Sequence, residues 1–301
     1  MTDSSPLPRQ KLWLAALKPP MYSVAIMPIL VGSAAAYGEL GVFDPINFAI
    51  FLLSAVLILV WENLSNDVFD SETGIDINKA HSLVNLTRKK SLIFAIGNGC
   101  LGLGIAGICA IALRQQDPTV LMLILLCCGL GYTYQGPPFR WGYQGLGEIL
   151  CFISFGPLAV GAAYYSQGQT WSLGSQMAGA IIGITTSLVL FCSHFHQIED
   201  DMIAGKRSPI VRLGTRQGAL LLPLLCLLVL ALVVLGVGLD YFPTWTLLTL
   251  VSLPAAVRLS QHVWRYHDQP TQVSNAKFFA IGFHFWSGML LGLGLILPTG
   301  G

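Results

Sequence analysis

Charge is what this 301-residue sequence has least of: Asp, Glu, Lys and Arg together make up 10% of it, against 54% hydrophobic residues and a mean hydropathy of +0.66. That balance excludes a soluble globular domain and identifies an integral membrane protein. The net charge of +1 gives no ground for a nucleic-acid partner. Cysteine chemistry is also missing. Cys100, Cys109, Cys127, Cys128, Cys151, Cys192 and Cys226 all fall inside apolar runs, where they act as small apolar side chains, and no disulfide framework or C-x-x-C metal pair is formed. The opening MTDSSPLPRQ has neither the basic region, the apolar region nor the cleavage site of a secretory leader, so the first helix is expected to be retained.

What the sequence has instead is apolar runs of membrane-spanning length. Nine are expected, at about 21–38, 46–64, 91–113, 119–135, 146–165, 176–195, 218–238, 242–260 and 277–297. Basic residues orient them, because Lys and Arg concentrate in cytoplasmic loops. Arg9, Lys11 and Lys18 precede the first run, Lys79 and Arg88 to Lys90 follow the second, Arg140 follows the fourth, Lys206 to Arg216 follow the sixth, and Arg258, Arg265 and Lys277 lie near the end of the eighth or between it and the ninth. Arg114 is the one basic residue of sixteen on the other side. The expected topology has the N-terminus and the longer loops on the cytoplasmic side of an inner, plasma or thylakoid membrane and the C-terminus outside.

The scarce acids are not scattered. Eight of fifteen lie in two clusters: Glu62, Asp67, Asp70, Glu72 and Asp76, then Glu199, Asp200 and Asp201. Asp70-x-x-x-Gly74 and Asp201-x-x-x-Gly205 are one acid-to-glycine phrase written twice, 131 residues apart. The same shift lays the first, second and third helices on the fifth, sixth and seventh. The fold class is therefore all-α, a multi-pass bundle of about nine helices: two four-helix pseudo-repeats plus one helix, in a single unit spanning 1–301. Duplicated membrane proteins often place a shared site between the repeats. Because a charge at the centre of a membrane helix costs roughly 2.5–3.5 kcal/mol, two such clusters imply one wet or metal-filled cavity between them.

If the second helix continues past 64, Glu62, Asn66 and Asp70 recur every four residues on one face, with Asp67 beside them. Oxygen ligands in that array suit Mg2+, which takes one or two protein carboxylates and bridges to substrate phosphates. A capped, solvated helix end is the plainer alternative. In the second cluster, carboxylates are followed by Lys206, Arg207 and Arg212, cations that could meet phosphate oxygens left uncovered by the metal. Gly74 and Gly205 allow a sharp turn at each helix exit. His194 and His196 could serve as zinc ligands, but they lack a nearby third nitrogen or sulfur and read better as polar lining. Between the repeats, Tyr132, Tyr134, Phe139, Trp141 and Tyr143 crowd around Arg140. They form either an interfacial belt or a wall of π-faces able to stabilise positive charge.

Taken together, N-D-x-x-D-x-x-x-G-x-D at Asn66 to Asp76, D-x-x-x-G-K at Asp201 to Lys206 with its S-P-I-V-R-L-G tail, and the central Y-T-x-x-P-P resemble the UbiA superfamily of intramembrane aromatic prenyltransferases. Within it the chain looks like the 1,4-dihydroxy-2-naphthoate prenyltransferases, and H-F-H-Q-I-E-D-D is similar to the phylloquinone-forming phytyltransferases of cyanobacteria and chloroplasts. The resemblance implies a prenyl diphosphate, phytyl diphosphate foremost, held by Mg2+ with its tail along apolar helices among membrane lipid. Its carbocation would be attacked by 1,4-dihydroxy-2-naphthoate, with loss of carbon dioxide. The implied catalytic residues are Asn66, Asp70 and Asp201, and the implied metal ligands are Asp67, Asp70, Asp76, Glu199, Asp200 and Asp201. Asn66, Lys79, Lys206, Arg207 and Arg212 would bind diphosphate; Tyr132, Tyr134, Phe139 and Arg140 would face the acceptor or the cation. Where many members carry an Asp four residues before the position of Asp201, this chain has Gln197, which offers only a neutral oxygen, so the resemblance leaves open which of Glu199, Asp200 and Asp201 binds the metal.

Other readings stay open on the residues alone. The donor could be a longer, menaquinone-type polyprenyl diphosphate, and the acceptor homogentisate or 4-hydroxybenzoate. A cation transporter also joins duplicated helices to carboxylates, although transporters commonly bind near the midplane. An alcohol phosphotransferase would use Asp and magnesium, but its D-G-x-x-A-R opening is absent.

Overall fold

Asp44 caps the helix that starts at Pro45: its side chain accepts from the amides of Ile46 (2.9 Å) and Asn47 (3.1 Å), and Pro45 supplies a first helical residue with no N–H to satisfy. The computed structural model describes residues 18–75 and 82–298; Asp76 and Lys79 lie outside the described residues. Among the described residues nine longer helical segments follow the nine apolar runs: α1 (Ser23–Leu40), α2 (Pro45–Thr73), α3 (Lys90–Gln115), α4 (Thr119–Gln135), α5 (Gly147–Gly168), α6 (Leu173–His194), α7 (Thr215–Gly238), α8 (Leu253–Tyr266) and α9 (Ala276–Ile296). Among the described residues there is no strand.

Seven of these segments, α9 taken with the short helical turn before it, are long and apolar enough to cross a membrane; α4 is shorter, at 17 residues. α8 completes its length differently. It is preceded by a nine-residue 3-10 helix, Thr244–Ser252, which at about 2 Å per residue adds roughly 18 Å to the roughly 21 Å of α8 itself. α2 is the outlier in the other direction. Its 29 residues extend about 43 Å, beyond the roughly 30 Å of hydrocarbon, so its last turns carry Asp67 and Asp70 past the span expected at 46–64. Gly74 (φ +79°) ends it, and Gly205 (φ +72°) ends the short helix Ile198–Ile203 that follows α6, so both acid-to-glycine phrases do terminate a helix.

Two larger apolar cores and a small cluster of Leu64, Val68, Phe69, Leu83 and Ile93 organise the described residues of the bundle. One joins α1 and α6 to α7, α8 and α9 through Ile181, Ile182, Leu222, Val229, Leu259 and Phe283; the other joins α2, α3, α4 and α5 through Phe51, Ile108, Ile111, Val120 and Ala162. α5 and α6 meet closely because neither has a side chain at the crossing. A Cβ on Gly156 would lie 2.6 Å from the Gly179 carbonyl, and one on Gly183 would lie 2.7 Å from that of Phe152. At the same place α5 loosens into a π-helical turn, Ser154–Leu158, that contains Pro157, and the Ser154 carbonyl accepts from Cys127 Sγ (3.5 Å).

Opposite the acidic end, Arg114 is bound structurally. Its Nη2 pairs with Asp44 Oδ2 (3.2 Å) and its Nε donates to Asn47 Oδ1 (3.0 Å), while Glu39 accepts from Tyr164 (2.8 Å) and Ser172 (2.7 Å). These contacts clamp α1, α2, α3, α5 and the start of α6 together at the face of the bundle opposite the acidic clusters.

Candidate active site

A cavity of about 780 Å³ opens between the two acid-bearing segments and draws its walls from α1, α2, α4, α5, α6 and α9. α2 presents Glu62, Asn66 and Asp70 to it, the face expected from four-residue spacing. Asp70 Oδ1 accepts from Gln135 Nε2 (2.8 Å) and from the Tyr143 hydroxyl (3.1 Å), which is itself 2.6 Å from Thr73 Oγ1. Burial and the Asp70 charge both raise the Tyr143 phenol above its ordinary range, so it stays protonated and donates. Asp67, one residue round the helix from Asn66, points elsewhere. It is buried, its Oδ2 accepts from the Leu83 amide (3.0 Å) and its Oδ1 faces Lys18 Nζ at 3.5 Å, so it ties the returning loop and the entry to α1 onto α2.

The second wall comes from the segment after α6. α6 stops at His194, and the chain restarts as Ile198–Ile203, which turns Asp200 and Asp201 into the cavity and leaves Glu199 exposed and off its lining. Asp201 is fully buried; its Oδ2 accepts from His194 Nδ1 (3.0 Å) and its Oδ1 lies 3.5 Å from Lys206 Nζ. Burial raises the Asp201 carboxyl, but the His194 hydrogen bond and the Lys206 charge outweigh it and hold the group below its ordinary range. His194 in turn places Nε2 3.4 Å from Glu148 Oε1, making a buried Glu148–His194–Asp201 row behind the cavity wall. His196 and Gln197 line the cavity itself.

The basic residues divide into two groups. Lys206 lines the cavity, and so do Lys18 and Lys277, two cations whose proximity to the acids no local spacing announces. Arg207 and Arg212 line a separate hollow of about 600 Å³ with Phe139, Arg140, Tyr143, Gln144, Leu146 and Gly205. Arg212 donates from Nε to the Arg207 carbonyl (3.1 Å) and from Nη2 to that of Gln144, while the Arg207 amide donates to the Tyr143 carbonyl (2.8 Å). They pin the segment before α5 to the loop after α6. Arg140 reaches Glu72 at 3.5 Å.

Of the aromatic candidates, Tyr134 lines the cavity. Tyr132 and Phe139 do not: two positions along a helix is about 200° of rotation, so Tyr132 faces away from Tyr134. It is 38% exposed and stands in an edge-to-face row of Phe94, Phe69, Tyr132, Phe139 and Trp141. That row has the character of an interfacial belt.

Among the described residues no three His, Cys, Asp or Glu side chains gather into a metal cluster. The donors still suit a hard cation. They are oxygens, Asp201 Oδ1 is buried without a hydrogen-bond partner, and magnesium needs only one or two protein carboxylates when water and phosphate complete its shell. Beyond the polar mouth the cavity walls turn apolar, with Val24, Ile29, Phe51, Ala55, Ile124 and Phe155.

The model of the UbiA prenyltransferase family matches residues 25–288. The chain is 56% identical over 300 residues to a 2-carboxy-1,4-naphthoquinone phytyltransferase of Synechocystis sp., covering 98% of each chain. It is 40% identical over 299 residues to the chloroplastic enzyme of the same name from Arabidopsis thaliana, covering 97% of this chain and 78% of that one. In fold it is similar to a UbiA homolog from Archaeoglobus fulgidus bound to DMAPP and Mg2+, with a TM-score of 0.58 at 16% identity over 93% of this chain and 98% of the other.

Proposed function

The chain belongs to the UbiA prenyltransferase family and is a prenyltransferase, and from that premise we propose that it joins the phytyl group of phytyl diphosphate to 1,4-dihydroxy-2-naphthoate, with loss of the acceptor's carboxyl group as carbon dioxide. Family membership removes the transporter and phosphotransferase readings. The observation that carries the proposal is the cavity itself, which has acids and lysines at its mouth and apolar walls in its depth. A diphosphate joined to a long branched hydrocarbon needs both ends. Identity of 56% along nearly the whole of the Synechocystis phytyltransferase supports the choice of tail and acceptor.

Asn66, Asp70 and Asp201 would hold magnesium, assisted by Asp200, and the bound ion supplies neutralisation of the diphosphate as it leaves. Lys206, Lys18 and Lys277 add charge at the same mouth. Tyr143 and Gln135 hold Asp70 from one side and His194 holds Asp201 from the other, so neither carboxylate has to reorganise as charge develops. Tyr134 offers its ring to the allylic cation and helps keep water from it. The basic residues support an orientation with this mouth on the cytoplasmic side, and we read 1–301 as one catalytic unit.

The test is incubation of the purified protein with Mg2+, phytyl diphosphate and dihydroxynaphthoate labelled in its carboxyl group. Diphosphate, labelled carbon dioxide and prenylated product should appear in equal amounts. A product that retains the label overturns the decarboxylating reaction, and turnover only with longer prenyl diphosphates overturns the choice of tail.

A further inference from the structure

Glu62 is the deepest charged residue of α2 on the cavity wall. Asp70 and Asn66 stand nearer the mouth on the same face, and the lining residues of α2 beyond it, Trp61, Leu59, Ile58, Ala55 and Phe51, carry no charge. Eight residues of helix separate it from Asp70, about 12 Å along the axis. Its carboxylate is seated against α4, with Oε1 3.5 Å from the place a Cβ would occupy on Gly131. No cation is paired with it among the described residues. Cys127 and Cys128 of α4 and Cys151 of α5 line the cavity around it. A carboxyl group held in such a wall without a counter-charge is costly as an anion, and taking up a proton relieves that cost.

Its depth specifies whose proton. With the diphosphate at the acidic mouth and the tail among apolar walls, the allylic carbon lies at the boundary between them, and the acceptor ring must reach it there. We propose that Glu62 is the general base for the acceptor, taking the proton of the hydroxyl next to the carboxyl-bearing ring carbon and returning it once carbon dioxide has left. This rests on the acceptor reading given above. As the O–H bond breaks, its electron pair moves through the ring to the carboxyl-bearing carbon. That carbon bonds to the allylic carbon, whose bond to diphosphate oxygen breaks with the pair leaving on diphosphate. The ring carbon to carboxylate bond then breaks, carbon dioxide departs, and the pair returns through the ring to the oxygen, which recovers the proton from Glu62. Atoms and charge balance with no other reactant, and Glu62 ends as it began.

The experiment compares the full-length wild type with E62Q and E62D, using phytyl diphosphate and a series of dihydroxynaphthoates whose ring substituents make the hydroxyl progressively more acidic. E62Q should lower kcat by about 10²–10⁴-fold, the range of a lost general base, with KM for the diphosphate unchanged, and E62D should recover part of the loss. The ratio of wild-type to E62Q rates should shrink as the hydroxyl becomes more acidic, because an acceptor that ionises by itself no longer needs the base. A near wild-type rate in E62Q, a raised KM for the diphosphate, or a ratio constant across the series would each overturn the assignment; a constant ratio is what simple electrostatic support of the cation would give. Failure of the acceptor reading shows separately, as a wild type that prenylates another hydroxylated ring but not dihydroxynaphthoate. The same comparison is then made on that ring.

Discussion

At the scale of single residues, the site depends on carboxylates whose neighbours decide what each can do. Asp67, Asp70, Asp200 and Asp201 are chemically alike, yet Asp67 is bound to the Leu83 amide and Lys18 while Asp70, Asp200 and Asp201 face the cavity. Asp70→Asn and Asp201→Asn keep the side-chain shape and remove the charge, and each should reduce prenyl transfer by at least about 10²-fold while thermal melting still reports a folded protein. Retention of wild-type turnover by the Asp70 variant at limiting Mg2+ would remove the first cluster from the metal site. Tyr134 acts on a different quantity. Its truncation to Ala should let water reach the cation, so diphosphate release will exceed prenylated product, whereas the same truncation of the outward-facing Tyr132 should leave the two equal.

At the scale of elements, the helix starts and crossings position these groups from far away. α2 carries Asn66 and Asp70 at one end and is capped by Asp44 at the other, so the cap sets where its 29 residues begin. Partial burial raises the Asp44 carboxyl, but hydrogen bonds from the Asn47 and Ile46 amides and the Arg114 charge outweigh it and hold the group below its ordinary value of 3.8. A lowered carboxyl stabilises the fold fully above its unfolded value and loses that contribution as pH falls through its folded one. Asp44→Ala should therefore cost about 1 kcal/mol at neutral pH, and the melting difference from wild type should persist down to the ordinary carboxylate range and close below it. A difference that grew on acidification would contradict the capping role. Where α5 crosses α6, Gly156 and Gly183 bring the backbones together, and the π-helical turn there delivers Ser154 and Phe155 to the cavity.

At the scale of the whole molecule, the bundle separates a structural face from a reactive one. Arg114, Asp44, Glu39 and Ser172 close one end; the acids, lysines and cavity mouth occupy the other. Exposed positions Lys89 and Arg207, changed singly to Cys, should both react with a membrane-impermeant thiol reagent from the cytoplasmic side, and Gln169→Cys only from the opposite side. Labelling of Lys89 and Arg207 variants from different sides would break the proposed topology.

The membrane class, the nine longer helical segments of the described residues and the two acidic phrases at helix ends were legible in the amino-acid order, because a span needs a long apolar run and a charge beside one is too costly to occur without cause. The apolar run at 119–135 coincides with α4, Thr119–Gln135, and Gly74 and Gly205 end helices as their spacing implies. Which side chains share the cavity depends on how the helices pack. Helical periodicity could carry Asn66 and Asp70 to one face, but it ends at His194, so the choice of Asp200 and Asp201 over Glu199 belongs to the break between α6 and Ile198–Ile203. The sequence likewise groups Lys206 with Arg207 and Arg212, while the fold sends the lysine into the cavity and the arginines to loop carbonyls in a separate hollow. Lys18 and Lys277, 259 residues apart, line one cavity because α1 packs against α9, a proximity set by helix packing that no local pattern encodes.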